Sequence, residues 1–135
     1  MKLQRAFLLL VVLATLLLAA NIAWAQEYVT RLRSPATVRG VIGGESHDSY
    51  VIHARKGRIM IVRISWRREH DKELGNNHAE FWVAELPNDG DAIVKFGRES
   101  SNGKRWSGKI PRTGDYYIYV NAYPIAHYTL RVTVK

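Results

Sequence analysis

The sequence contains no cysteine among its 135 residues. This absence excludes disulfide bonds and cysteine nucleophiles, and it leaves no site for lipid attachment after the N-terminal apolar run. Exported domains often use disulfides to strengthen a small core. Because this chain has none, packing alone must hold the folded domain together.

Catalytic sequence motifs are also missing. The nucleophile elbow G-x-S-x-G, the metalloprotease motif H-E-x-x-H and the phosphate-binding P-loop do not occur. The adjacent residues His47, Asp48 and Ser49 have the letters of a catalytic triad. Contiguous residues do not easily hold a nucleophile, a base and an orienting acid in the required geometry. We therefore expect a protein that is not an enzyme and needs no cofactor.

The histidines do not form a metal-binding pattern. The sequence has five of them, and no two lie at metal-ligand spacing on a common strand face. His70 and His78, with Asp71 or Glu73, share one polar segment. Solvated loop histidines explain this segment better than a metal site does, so we predict no metal ion.

The N-terminal segment has the pattern of a secretory signal peptide, residues 1–25. Lys2 and Arg5 precede an uncharged apolar run, and Ala23-Trp24-Ala25 matches a cleavage site. The run is short for a bilayer span of about 20 residues, so we expect cleavage and no membrane span afterwards. The product would be periplasmic or secreted. Removing two of the 20 basic residues leaves 18 against 12 acidic ones, a net charge of +6.

Residues 26–135 predict one domain built of short strands. Alternating apolar and polar segments are separated by turn residues such as Gly43-Gly44, Asn102-Gly103 and Thr113-Gly114, and no sustained helical period occurs. This pattern indicates an all-β, two-sheet antiparallel sandwich of jelly-roll type with about eight strands. The predicted strands are 36–42, 49–55, 58–66, 79–86, 92–96, 104–109, 115–122 and 127–134.

The last two predicted strands carry aromatic residues on both faces. Tyr116 lies on the apolar face with Ile118, whereas Tyr117 and Tyr119 alternate onto the other face. If these strands pair as a hairpin, the outer tyrosines would have Thr129, Arg131 and Thr133 as cross-strand neighbours. Such pairs stabilise an exposed sheet face by about 0.2–1 kcal/mol each. The same surface would also suit stacking on sugar rings or docking of a protein.

Three segments resemble a known family: "GVIGGESHDSYVIHARKGRIMIVRIS", "WSGKIPRTGDYYIYV" and "HYTLRVTV". Together they make residues 40–135 similar to bacterial pre-peptidase C-terminal-type β-sandwich domains. Within that group the chain looks most like the periplasmic inhibitors of goose-type lysozyme. The resemblance implies a two-sheet antiparallel sandwich and a non-catalytic binding protein.

The resemblance also implies a site. Inhibitors of this group carry an S-G-x-Y motif in the inhibitory loop, and here it reads Thr113-Gly114-Asp115-Tyr116, with a hydroxyl retained at the first position. Arg112 or Arg105 would then reach acidic catalytic residues of the lysozyme in a charge-assisted pair. The T-G-x-Y pattern also occurs in non-inhibitory domains of this fold. There the glycine supplies a positive-φ turn and the tyrosine points into the core.

Two functions from different classes therefore stand. The first is a periplasmic lysozyme inhibitor acting through Arg112, Thr113, Gly114, Asp115 and Tyr116. The second is a secreted module that binds glycans or anionic polymers through Tyr117, Tyr119 and Arg131, aided by the positive field. A sheet face that docks another envelope protein is a third possibility. Nothing in the sequence predicts specific recognition of nucleic acid.

Overall fold

The computed structural model describes residues 28–86 and 93–135. The predicted signal peptide and the predicted turn at 87–90 lie outside these residues. Within the described part, no helix is long and apolar enough to cross a membrane.

The described chain forms eleven strands in two main sheets and one small hairpin. The first sheet has the order β1-β3-β10-β7, the second has the order β2-β11-β4-β9-β8, and β5 pairs with β6. The predicted two-sheet sandwich is confirmed, although β1 pairs with β3 in parallel. The strands are β1 (Val29–Leu32), β2 (Ala36–Gly43), β3 (Asp48–Ala54), β4 (Ile59–Trp66), β5 (His70–Asp71), β6 (Gly75–Asn76), β7 (His78–Ala84), β8 (Arg98–Ser100), β9 (Arg105–Lys109), β10 (Gly114–Tyr123) and β11 (Ile125–Val134).

Seven of the eight predicted strands are present within two residues of their expected bounds. The eighth, 92–96, is wrong in its described part, where Ile93 makes only an isolated bridge to Ala84. Four observed strands were not predicted: β1, β5, β6 and β8. Each is four residues or shorter, which is too short for an alternating pattern to be recognised.

The core lies between the inward faces of the two sheets. Alternate residues of β4 and β11 are buried from the second sheet, and those of β10 are buried from the first. Apolar side chains of opposite sheets therefore face each other, as in other sandwiches. The largest fully buried side chains are Tyr128, Ile52, Met60, Ile110, Ile118, Leu130, Val62, Val120 and Val132.

The predicted hairpin between the last two strands is wrong. β10 pairs with β3 and β7 in the first sheet, whereas β11 pairs with β2 and β4 in the second. Only Pro124 separates them, so the chain crosses from one sheet to the other at that residue. The physical reason is that both strands have an apolar inner face. Placing them in opposite sheets lets each face cover the other across the core.

A chain of hydrogen bonds joins the two sheets; it is buried between Tyr50 and Tyr128 and partly buried at Asp48. The hydroxyl of Tyr128, on β11, donates to the carboxylate of Asp48 at the start of β3. Since that uses its only proton, the hydroxyl of Tyr50, 2.5 Å away, donates to Tyr128. Burial is the main cause that raises the pKa of both tyrosines, so both stay protonated at neutral pH. A Cβ at Gly40 would lie 2.6 Å from the Tyr128 ring, so β2 needs glycine there.

We expect Tyr128→Phe to destabilise the fold. The substitution keeps the ring but leaves the Tyr50 hydroxyl and the Asp48 carboxylate without their shared partner. An orphaned buried polar group costs about 1–3 kcal/mol, and the free energy of unfolding in urea should fall by that amount. The matched control is Tyr123→Phe, whose ring is 51% exposed and which should change stability little. Equal stability of the two variants would contradict the role given to Tyr128.

Candidate functional site

The segment predicted as the inhibitory loop, Arg112–Tyr116, leads into β10 at one end of the sandwich. It is tied to the loop between β3 and β4 by hydrogen bonds. The backbone N–H of Lys56 donates to Oγ1 of Thr113 at 2.9 Å. Nearby, the Gly57 N–H donates to the Ile110 carbonyl at 2.8 Å. The Thr113 hydroxyl therefore joins two loops instead of pointing freely into solvent.

Tyr116 points into the core, as predicted, and is 3% exposed. Its hydroxyl turns back and donates to the carbonyl of Arg112 at 2.7 Å. The ring packs edge-on against Phe96, with centroids 6.0 Å apart. Burial raises the pKa of Tyr116. Tyr116 thus holds the backbone of the segment in place and offers no surface to a partner.

Gly114 does not have the positive φ that the glycine supplies in non-inhibitory domains with the T-G-x-Y pattern. It is the first residue of β10, and a Cβ there would meet no atom within 4 Å. The bend before β10 is held instead by the hydrogen bond that Thr113 accepts from Lys56 and by the one that Tyr116 donates to Arg112. The glycines with positive φ in the described residues are Gly44, Gly57, Gly75, Gly97 and Gly103.

Of the two predicted basic contact residues, only Arg112 lies at this end of the sandwich. Its Nη2 is 2.7 Å from Oε2 of Glu85, and the two side chains are 75% and 32% exposed. Arg105 begins β9 at the opposite end from the segment and lies in the second sheet, opposite Arg63. The structure therefore separates Arg105 from the candidate loop.

Asp115 is held by two basic side chains that the sequence did not associate with it. Arg31 donates to both carboxylate oxygens, at 2.8 and 3.3 Å, and Nδ1 of His53 lies 3.1 Å away. The hydrogen bond from Arg31 is the largest cause that lowers the pKa of Asp115, and His53 adds to it. The three side chains of this cluster come from β1, β3 and β10. The cluster therefore links three adjacent strands on the outer face of the first sheet, beside the loop.

The outer face of the first sheet continues from Asp115 as an aromatic strip, defined as Tyr117, Tyr119 and Trp82. Tyr119 stacks on Trp82 with centroids 5.3 Å apart, and His47 packs edge-on at 5.6 Å. Tyr119 is only 3% exposed, so the expectation that it lies on an open face is wrong. Tyr117 is half-buried. Of this strip, only Tyr117 and Trp82 reach solvent.

The alternative binding face predicted from the sequence is not assembled. Tyr117 and Tyr119 lie on the first sheet, whereas Arg131 lies on the outer side of the second. Arg31 from β1 lies in the same cross-strand row as Tyr117 instead, with Val51 of β3 between them. Arg31 was missed because β1 was not predicted. Trp82 could have been found from the alternation of β7, which buries Phe81 and turns its neighbour outward.

The polar segment with His70 and His78 contains the β5–β6 hairpin, and His78 itself begins β7. Oδ1 of Asp71 accepts the backbone N–H groups of Glu73 and Leu74, and these bonds lower its pKa. His70 contacts the side chain of Asn76 at 3.0 Å. Across residues 28–86 and 93–135, no group of three histidine or acidic side chains is placed to hold a metal ion.

No protein-family profile and no curated protein matches the chain in sequence. Solved structures do match it in fold. The chain is 19% identical to PliG of Aeromonas hydrophila, a periplasmic lysozyme inhibitor of g-type lysozyme, with a TM-score of 0.62 over 79% of this chain and 96% of that one. For PliG of Salmonella Typhimurium the identity is 24% and the TM-score 0.55, over 79% and 97% of the two chains.

A third match comes from the other group named by the sequence resemblance. The pre-peptidase C-terminal domain of a Bacillus anthracis collagenase is 20% identical, with a TM-score of 0.51 over 81% of this chain and 96% of that domain. The sequence resemblance and the structural neighbours therefore agree. The chain has the β-sandwich fold common to PliG inhibitors and pre-peptidase C-terminal domains.

Proposed function

We propose that this chain is an exported, non-catalytic protein that inhibits a goose-type lysozyme through Arg112–Tyr116. The observation that carries the proposal is the bond from the Lys56 N–H to the Thr113 hydroxyl. Through this bond the Thr113 hydroxyl helps to shape the loop. A serine, as in the inhibitor motif S-G-x-Y, also carries a hydroxyl and would accept the same hydrogen bond. The fold likeness to two PliG inhibitors over nearly their full length supports the same function.

The loop is suited to binding because its shape is fixed before any partner arrives. Thr113 ties it to Lys56, and the Tyr116 hydroxyl ties the carbonyl of Arg112. A preorganised loop loses little conformational entropy when it enters a cleft, which favours affinity. Its exposed residues at the tip are Pro111, Arg112 and Thr113.

Arg112 is the side chain proposed to meet an acidic residue of the lysozyme. In the free protein it pairs with Glu85, and three quarters of its side chain is exposed. Surface pairs of this kind contribute about 0–1 kcal/mol, so exchanging Glu85 for a carboxylate of the enzyme costs little. Inside a cleft the new pair would be shielded from water and therefore stronger.

The proposed location is the periplasm. It combines the predicted signal peptide, residues 1–25, with the periplasmic origin of the PliG proteins that share the fold. The competing function, glycan binding through Tyr117, Tyr119 and Arg131, has lost its surface, because these residues lie on different sheets and Tyr119 is buried.

We expect Arg112→Gln to weaken inhibition at least tenfold, because truncating one partner of a desolvated charge pair costs about 2–5 kcal/mol. The assay is lysis of peptidoglycan by goose-, chicken- and invertebrate-type lysozymes with the mature protein added. The charge-matched control is Lys72→Gln, in the hairpin whose Leu74 lies beside Tyr123 at the far end of β10. If the mature protein inhibits no lysozyme at micromolar concentration, the proposed function is wrong.

The Thr113 hydroxyl gives a second, independent test. Thr113→Val keeps the shape but removes the acceptor for the Lys56 N–H, so the loop should loosen and inhibition should weaken several-fold. Thr113→Ser keeps the acceptor and should inhibit as the wild type does. Equal inhibition by the valine and serine variants would show that the hydroxyl does not shape the inhibitory loop.

The Asp115 cluster beside the loop predicts a pH dependence of stability. Because Asp115 has a lowered pKa in the folded state, its contribution is present above the unfolded-state value of 3.8 and is lost as pH falls through the folded value. Asp115→Asn should therefore lower the urea midpoint at pH 7, and the difference from wild type should shrink progressively as the pH falls below 3.8. Glu80→Gln, an exposed change on neighbouring β7, is the control and should leave the midpoint unchanged. A difference that persists at acid pH would refute this assignment.

A further inference from the structure

The outer face of the second sheet carries three arginines in one row. On adjacent strands, Arg131 of β11 lies opposite Arg63 of β4, and Arg63 lies opposite Arg105 of β9. Neighbouring strands are about 4.8 Å apart, so the three side chains leave the sheet as close neighbours. Thr37 and Ser100 end the row on either side.

Further basic side chains extend this row into a surface, here named the arginine face and defined as Arg39, Arg63, Lys104, Arg105 and Arg131. Arg39 lies on β2 opposite Thr129, which in turn lies opposite Ser65 of β4. Lys104 precedes β9, and its Nζ lies 4.5 Å from the centroid of the Trp66 ring.

The arginine face has no acidic counterpart in the described part of the chain. The four ion pairs found there are Arg31–Asp115, His53–Asp115, Arg67–Glu69 and Arg112–Glu85. None involves a residue of the arginine face. The strand positions that share its outward direction are the odd-numbered residues of β2, β4, β9 and β11, together with Arg98 and Ser100 of β8. They include no aspartate or glutamate.

This arrangement does not serve stability. Like charges directly opposite each other on neighbouring strands are destabilising. Arg63 has an arginine opposite it on both sides, whereas Arg31 of the first sheet pairs with Asp115. A row that costs the fold stability and is not neutralised within the described chain indicates an external anionic partner.

A shallow groove lies at the row, and its lining limits the kind of partner. Arg63, Arg105, Arg131 and Lys104 line one shallow groove together with the hydroxyl-bearing residues Ser65, Ser101 and Thr129. The guanidinium groups can bind the oxygens of sulfate, carboxylate or phosphate groups. The side-chain hydroxyls can exchange hydrogen bonds with hydroxyl groups of the same ligand. A linear chain fits into such a groove, whereas a flat bilayer would meet only its rim.

We propose that the arginine face binds an acidic polysaccharide, a linear glycan carrying carboxylate or sulfate groups along its length. Single-stranded nucleic acid is the poorer fit, because its recognition relies on bases stacking on aromatic platforms. The outward strand positions carry no Phe, Tyr or Trp, and the half-buried Trp66 ring beside the face has Lys104 over it. The site is separate from the Arg112–Tyr116 loop, so it does not rest on lysozyme inhibition. An inhibitor with this face would be held on anionic glycan of the cell envelope.

The test is calorimetric titration of the mature protein with a size-defined heparin hexasaccharide. One variant carries Arg63→Gln, Arg105→Gln and Arg131→Gln. Its control carries Arg33→Gln, Arg55→Gln and Lys72→Gln, three exposed basic residues off the face, so both variants lose the same charge. We expect the face variant to bind at least tenfold more weakly, with a shallower salt dependence, and the control to stay within threefold of wild type.

Thermal unfolding shows that loss of binding is not loss of fold. Because like-charge repulsion is removed, the face variant should unfold at the wild-type temperature or above it. If both variants bound heparin equally weakly, net charge alone would explain the binding and the proposal would be overturned. The absence of heparin binding by the wild type would overturn it as well. Tighter binding of phosphatidylglycerol vesicles or of single-stranded DNA through the same three arginines would overturn the choice of polysaccharide.

Discussion

The hydrogen-bond chain from Tyr50 through Tyr128 to Asp48 is the interaction on which the sandwich depends. Apolar packing brings two sheets together without fixing how they are aligned, because the hydrophobic effect has no direction. A buried hydroxyl does have direction, and leaving it unpaired costs about 1–3 kcal/mol. The chain of bonds therefore sets the position of β11 relative to β3. It also accounts for Gly40, since β2 must leave room for the Tyr128 ring.

The short T-G-D-Y segment shows how one stretch serves several parts of the fold. The Thr113 hydroxyl accepts from the loop between β3 and β4, Asp115 holds Arg31 of β1, and Tyr116 enters the core. Each residue thus fixes a different neighbour, and the segment itself becomes rigid. Rigidity at the end of a sandwich is what a loop needs if it is to enter an enzyme cleft with little loss of entropy. The structural roles of Thr113, Asp115 and Tyr116 are therefore compatible with the inhibitory role proposed for the loop.

The two outer faces of the sandwich differ in how their charges are arranged. On the first sheet, Asp115 pairs with Arg31 and contacts His53, and the rings of Trp82 and Tyr119 stack on each other nearby. On the second sheet, Arg63 stands between two other arginines. A positive net charge alone does not require that the basic residues lie together, because basic residues scattered over the surface would give the same net charge. Collecting them in one grooved row concentrates the positive field where a polyanion can lie.

The alternation of apolar and polar residues along the chain was enough to predict seven strands, the inward direction of Tyr116 and the sandwich class. The reason is that a period of two identifies which face of a strand is buried. Alternation does not say which strand lies alongside which. Tertiary structure alone decided that β10 and β11 belong to opposite sheets, that β1 brings Arg31 to Asp115, and that Arg131 stands beside Arg63. Pairing joins residues far apart in sequence, and it is selected by how whole apolar faces cover one another.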